Sequence, residues 1–183
     1  MVSHVSFLVR PWEKETLMNN KVVGTKFERE FAEMLAKHRF WVHLFQDNKN
    51  GQPCDIVAAY GGHTYLIDCK NCEKDYFLLS RMEENQYNAM ELFKRMGNED
   101  GWFAIQFSGG DIYMLPYWKI KMMQEHGVKR LSKQECKLYG MVFIQWLYDF
   151  DCGRMSLSCQ MNDRRIFKNW LGKCMDGKLC RLP

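Results

Sequence analysis

The stretch Cys54-Asp55-Ile56-Val57-Ala58-Ala59-Tyr60-Gly61-Gly62-His63-Thr64-Tyr65-Leu66-Ile67-Asp68-Cys69-Lys70 decides how this chain is read. Two runs rich in β-branched and aromatic residues flank a Gly-Gly pair, the pattern of a hairpin with a two-residue loop. Strands are expected over 54–60 and 64–69. With Gly61 and Gly62 as the loop, Tyr60 pairs with His63, and counting back along both strands sets Asp55 directly opposite Asp68. Opposed residues share a sheet face with their Cβ atoms about 4.5–5.5 Å apart. Lys70, two residues past Asp68, falls on that face by strand alternation.

Two carboxylates so close repel unless a cation lies between them, and a divalent metal with oxygen ligands, Mg²⁺ above all, is the natural solution. Such an ion polarises a phosphoryl oxygen and acidifies a bound water. A nearby lysine can orient or deprotonate that water and offset developing negative charge. These are the parts needed to hydrolyse a phosphodiester. An exposed salt-bridged face could show the same residues, but the register, which decides what faces what, favours chemistry.

Working outward, Phe27, Phe31, Met34 and Leu35 recur at helical spacing and predict a helix over 24–38. Thr25 and Glu28 fit a capping box at its start, a role that accounts for Glu28 without excluding a catalytic one. Phe40 to Phe45 reads as a strand, and Gln46 to Pro53 as a polar loop. Downstream, Ser80 to Met96 reads as a helix opening on a second capping box, Ser80 and Glu83. Gln86 lies on its apolar stripe with Met82, Ala89, Met90 and Phe93, so its amide needs buried partners. Trp102 to Phe107 and Ile112 to Leu115 form another strand pair, turning through Ser108 to Asp111.

Helix, three strands, helix, two strands predicts an α/β architecture: a central mixed sheet flanked by helices. Beyond Tyr117 the periodicity is less decisive. Leu138 to Phe150 fits strand or helix, and Asn162 to Leu171 fits a helix.

The bulk properties suit one compact domain. The 183 residues are 46% hydrophobic and 26% charged, which excludes disordered and collagen-like chains. A formal net charge of +4, from 26 Lys+Arg against 22 Asp+Glu, is compatible with nucleic-acid binding only if the cations cluster. From Arg164 to Pro183 they do: Arg164, Arg165, Lys168, Lys173, Lys178 and Arg181 face one acid, Asp176, with Phe167 and Trp170 among them. That end could track a phosphate backbone or be a solvated helix face. Lys119, Lys121, Lys129, Arg130 and Lys133 form a second basic region with the same two readings.

The short apolar run Val5 to Val9 ends at Arg10-Pro11 and does not make a signal peptide, and no stretch is long enough to span a bilayer. A reducing cytoplasm with free thiols is the expected setting, in a bacterial cell or, for a phage-encoded protein, its host. Cys152, Cys159, Cys174 and Cys180 lack the tight knuckle pairs of common zinc sites, and Cys69-x-x-Cys72 has no second pair at the usual distance.

The series Gly24-Thr25-Lys26-Phe27-Glu28-Arg29-Glu30-Phe31, Asp55-Ile56-Val57-Ala58 and Ile67-Asp68-Cys69-Lys70 resembles the motif set of PD-(D/E)xK Holliday-junction resolvases, both the archaeal Hjc type and the bacterial RecU type. The stretch from Phe77-Leu78 through Asn85-Gln86 to Trp102–Ile105 and Tyr113–Pro116 is similar to the RecU type, where a His-Gln pair stands at Asn85-Gln86. The resemblance covers roughly residues 21 to 120. It implies a restriction-endonuclease-like fold and a homodimeric endonuclease that cuts branched DNA with Mg²⁺ or Mn²⁺. By position, Glu28, Asp55, Asp68 and Lys70 match the catalytic residues, and Gln86 the fourth-motif residue. Asp55, Asp68 and the Cys69 carbonyl would hold the metal, with Glu28 joining directly or through water. Lys26, Lys49, Arg81, Arg164, Arg165 and Lys168 are candidate DNA contacts.

Two departures keep rivals open. Cys54 separates Pro53 from Asp55, and the loop from Gln46 to Pro53 is too short for the stalk of the RecU type. A related nuclease on linear duplex, or a non-catalytic DNA-binding module on the same fold, are the alternatives. Residues 1–20 read as a lead-in, 21–120 as the nuclease core, and 121–183 as an extension of unassigned role.

Overall fold

A computed structural model of the chain describes residues 26–45 and 52–151, together with the single helical residue Lys168. A helix over residues 26–37 (α1) leads into β1 (Trp41–Leu44), β2 (Ile56–Tyr60) and β3 (His63–Cys72). β4 (Tyr76–Leu78), a 3₁₀ turn (Leu79–Arg81) and α2 (Glu84–Arg95) follow, then β5 (Trp102–Phe107), β6 (Ile112–Pro116) and α3 (Tyr117–Glu125). The remaining elements are β7 (Arg130–Ser132), α4 (Lys133–Tyr139), β8 (Met141–Val142) and α5 (Phe143–Asp151).

Six strands form one sheet in the order β1-β2-β3-β5-β6-β8, while β4 and β7 make a separate antiparallel ribbon. In the large sheet only β3 and β5 run parallel, so the expected mixed sheet is present. The hairpin has the expected register: Tyr60 pairs with His63 and Ile56 with Ile67. Gly61 and Gly62 both have positive φ, 59° and 85°, the backbone that matches a two-residue loop to the twist of its strands.

Alternation along β3 divides the interior in two. Tyr65, Ile67 and Cys69 face a core built with Phe27, Phe31 and Leu35 of α1 and Phe143, Trp146 and Leu147 of α5. Leu66 and Cys72 face the other core, where Phe103, Ile105, Tyr87 and Met90 of α2, and Ile120 and Met123 of α3 pack. Asp68 lies on this second face, across from Phe103 of β5.

Three expectations change. The boundary placed near residue 120 falls inside α3; β8 completes the sheet and Trp146 is buried in its core, so the packed unit runs on to α5. The segment from Leu138 to Phe150 that fitted strand or helix holds the end of α4, then β8 and α5. The second helix starts at Glu84 rather than Ser80, because the chain turns through a 3₁₀ segment and the capping pair is Glu83 with Gln86. The candidate helix over 162–171 lies outside the described residues apart from Lys168.

Candidate active site

Asp55 sits just before β2, its N–H donating to the Ile67 carbonyl at 3.2 Å and its Oδ2 accepting from the Cys69 N–H at 2.6 Å. That second bond ties the Asp55 side chain to the strand bearing Asp68. N–H and C=O of one strand residue point to the same side. The Cys69 carbonyl is therefore directed toward Asp55, while its thiol points into the α1 core.

Asp68 is fully buried and held from two directions. Its Oδ2 accepts from Gln86 Nε2 at 2.5 Å, and its Oδ1 meets the Lys70 ammonium in an ion pair of 2.6 Å without an aligned hydrogen bond. Burial is the largest influence on this carboxyl and pushes its pKa well above the usual carboxylate range. Lys70 pulls it back, and Asp55 and Glu28 push it further up. The influence of Glu28 places the α1 acid within electrostatic reach of the pair.

Gln86 is oriented by its own helix. Its Oε1 accepts from the Glu83 N–H at 3.1 Å, capping α2, so the amide must turn its donor to Asp68. The polar residue on an apolar stripe is thereby explained, and its partner is the acid rather than the lysine.

A cleft of about 480 Å³ is lined by Glu28, Asp55, Cys69 and Lys70 together with Lys74, Tyr76 and Arg81. Arg81 also donates to the Asn71 carbonyl at 2.7 Å. Lys74 and Tyr76 escaped the sequence reading, although β3 running past Lys70 to Cys72 aims the chain along this wall. Of the other candidate DNA contacts, Lys26 is exposed and pairs with Glu30 at 3.6 Å, and Lys168 is exposed. Lys49, Arg164 and Arg165 lie outside the described residues.

Among the described residues no three His, Cys, Asp or Glu side chains gather into a metal cage. The donor set still suits Mg²⁺, which is commonly bound by one or two carboxylates and completed by water and substrate phosphate. Asp68 Oδ1, buried with only the Lys70 ammonium against it, is consistent with such a ligand. Zinc does not suit the cysteines seen here: Cys69 and Cys72 face opposite cores. Burial, reinforced by Asp55 and Asp68, also pushes the Cys54 thiol up to about 12, and Cys69 well above its ordinary value. Cys54, Cys69, Cys72 and Cys136 are free; Cys152, Cys159, Cys174 and Cys180 lie outside the described residues.

The fold and the motif order define a nuclease of the PD-(D/E)xK class, enzymes that cut DNA phosphodiesters and depend in general on a divalent metal. The sequence profile of the archaeal Holliday junction resolvases (Hjc) matches residues 19–143, and the chain belongs to that family. A solved structure of Hjc from Archaeoglobus fulgidus superposes with a TM-score of 0.52 at 21% identity, covering 68% of this chain and 95% of that one. No curated protein sequence matches significantly. The match falls on the archaeal type, and so gives no support to a bacterial or phage origin. Among the described residues no helix is long and apolar enough to cross a membrane.

Proposed function

We propose that the chain resolves four-way DNA junctions as a homodimer, hydrolysing phosphodiesters with Mg²⁺ or Mn²⁺ at a centre built from Glu28, Asp55, Asp68 and Lys70. The observation that carries this reading is the shared wall of the cleft. Asp55, Cys69 and Lys70 open onto it from the β2–β3 hairpin, Glu28 joins them from α1, and Asp68 lies beneath. Asp55, Asp68 and the Cys69 carbonyl would hold the metal, with Glu28 completing the set directly or through water. The ion, when bound, supplies Lewis-acid activation of water and phosphate.

The chain's own residues do the rest. Lys70, on the same strand face as Asp68, orients the attacking water and offsets charge on the phosphate. Lys70, and the donor of Gln86, favour the ionised form of Asp68 against the burial that raises its pKa. Asp55 accepts from the Cys69 N–H, which holds its carboxylate against the strand that bears Asp68 and Lys70. Lys26, Arg81 and Lys168, together with Lys49, Arg164 and Arg165, would contact the backbone of the DNA. A junction has two-fold symmetry, and a symmetric dimer is the simple device for cutting it twice.

The test is cleavage of a labelled four-way junction and a matched linear duplex in Mg²⁺, comparing the wild type with Asp68→Ala. Junction-selective cutting that disappears in the variant supports the reading. Equal cutting of both substrates leaves the site standing and removes junction specificity. Binding without cutting by either protein overturns the catalytic assignment.

A further inference from the structure

On the two-stranded ribbon of β4 and β7 the Tyr76 ring has two cations against it, Lys74 from the bend before β4 and Arg130 from β7. Lys74 Nζ lies 5.5 Å from the centroid of Tyr76, and the Arg130 guanidinium carbon lies 5.4 Å from it. The ribbon's register explains the grouping. Phe77 pairs with Leu131 and both are buried in the α2-side core, so the neighbouring positions, Tyr76 and Leu78 on β4 and Arg130 on β7, turn outward. Leu78 is 41% exposed, high for a leucine in a sheet. Tyr76, Leu78 and Lys74 also line the catalytic cleft.

Among the described residues neither Lys74 nor Arg130 is ion-paired with a carboxylate. Two like charges sharing one ring repel each other, and a ring quadrupole offsets that only in part. Glu73 lines the same cleft and Asp75 is exposed beside it, so the loop is not uniformly basic. The ring draws both cations to one spot next to the cleft that Lys74 and Tyr76 line.

We infer that the outer face of the β4–β7 ribbon binds the DNA backbone as it leaves the catalytic cleft, with Lys74 and Arg130 on consecutive phosphates and Tyr76 as the residue that positions both. The inference rests on the nucleic-acid reading above and extends it to residues that the catalytic motifs do not include. Its two supports are charge complementarity to a polyanion and continuity with the cleft. The exposed Leu78, paired with Arg130 across the ribbon, suits sugar contact rather than solvent.

The experiment is equilibrium binding of a fluorescent four-way junction to the full chain in EDTA across a salt series. Each phosphate contact contributes roughly 0.9 to the slope of log affinity against log salt. The Lys74→Ala/Arg130→Ala double variant is expected to lose about two from that slope and roughly tenfold in affinity near physiological salt. Tyr76→Leu, which keeps an apolar side chain but no ring, is expected to weaken binding, and Tyr76→Phe to restore it. Unchanged slope and affinity in the double variant overturn the site. Equal binding by the Leu and Phe variants overturns the positioning role of Tyr76. Cleavage in Mg²⁺ is read separately: a wild type that binds through the ribbon without cutting supports this inference while removing the catalytic one.

Discussion

Gln86 and Asp68 stand 18 positions apart in sequence and 2.5 Å apart in space, the amide nitrogen of one on the carboxylate of the other. Because the same amide caps α2, the helix start and the buried acid are held by a single side chain. The two jobs can be separated by substitution. Gln86→Met removes both, and the loss of two hydrogen bonds, one to a charged group, is expected to cost about 2–4 kcal/mol of stability. Gln86→Glu keeps an acceptor for the Glu83 N–H but sets a carboxylate against Asp68. Cleavage is expected to fall by tenfold or more in both, while urea unfolding shows which one has lost the cap.

Neutralising Asp68 should trade activity for stability. Burial raises its folded pKa above the unfolded value, so across the interval between them the unfolded chain is ionised while the folded chain resists ionisation. Stability contributed by this group therefore declines as pH rises from the ordinary carboxylate range toward neutrality. Asp68→Asn is expected to abolish cleavage, to keep junction binding, and to melt higher than the wild type at pH 8 without metal. A lower melting temperature there would mean that the Lys70 pair outweighs the cost of burial.

Lys119 has the opposite sign. It is buried on α3 with its Nζ donating to the Tyr139 carbonyl at 2.8 Å, and burial lowers its pKa from 10.5 to about 8. Between those values the unfolded chain binds the proton that the folded chain has released, so stability rises with pH, by at most about 1.4 kcal/mol per pH unit. Below the folded pKa the full cost of the buried charge is present. Subtracting the pH profile of Lys119→Met from that of the wild type should leave this rise between about 8 and 10.5. A flat difference would refute it.

Gly140, between α4 and β8, has no room for a side chain. A Cβ there would meet the Met114 carbonyl oxygen at 2.6 Å and the Cys136 carbonyl oxygen at 2.8 Å, both backbone atoms that cannot step aside. At Gly101 a Cβ would lie 2.4 Å from Met90 Cγ and 2.7 Å from its Cβ, and because Met90 is fully buried on α2 the helix itself would have to shift. Gly140→Ala and Gly101→Ala are each expected to cost about 1–3 kcal/mol, read as urea midpoints.

The hairpin was legible because the Gly-Gly loop sets Tyr60 against His63 and Ile56 against Ile67. The pairing ends there, and Asp55, expected opposite Asp68, instead reaches β3 through its N–H to the Ile67 carbonyl and its carboxylate to the Cys69 N–H. The order of helices and strands through Pro116 was legible for the related reason that long periodic segments declare themselves. Strands of two or three residues do not: β4, β7 and β8 are too short to show alternation, and they exist because Phe77, Leu131 and the edge of β6 offer them partners. Ser80 looked like a helix start because its spacing to Glu83 is that of a capping box, yet Gln86 offers Glu83 the same arrangement one turn later. The partner of Gln86 and the cleft wall at Lys74 and Tyr76 depend on how β3 is covered, which no local pattern encodes.

The split between a local hairpin and a parallel partner also sets an order of assembly. Asp55 reaches the strand that bears Asp68 through a two-residue turn, a closure on the microsecond scale. Gln86 reaches Asp68 only when α2 docks, in the crossover that sets β5 beside β3, and such non-local closure is slow. Folding is thus expected to bring the acids together before their amide arrives, so substitutions at Gly61 or Gly62 should slow refolding, whereas those at Gln86 should chiefly hasten unfolding.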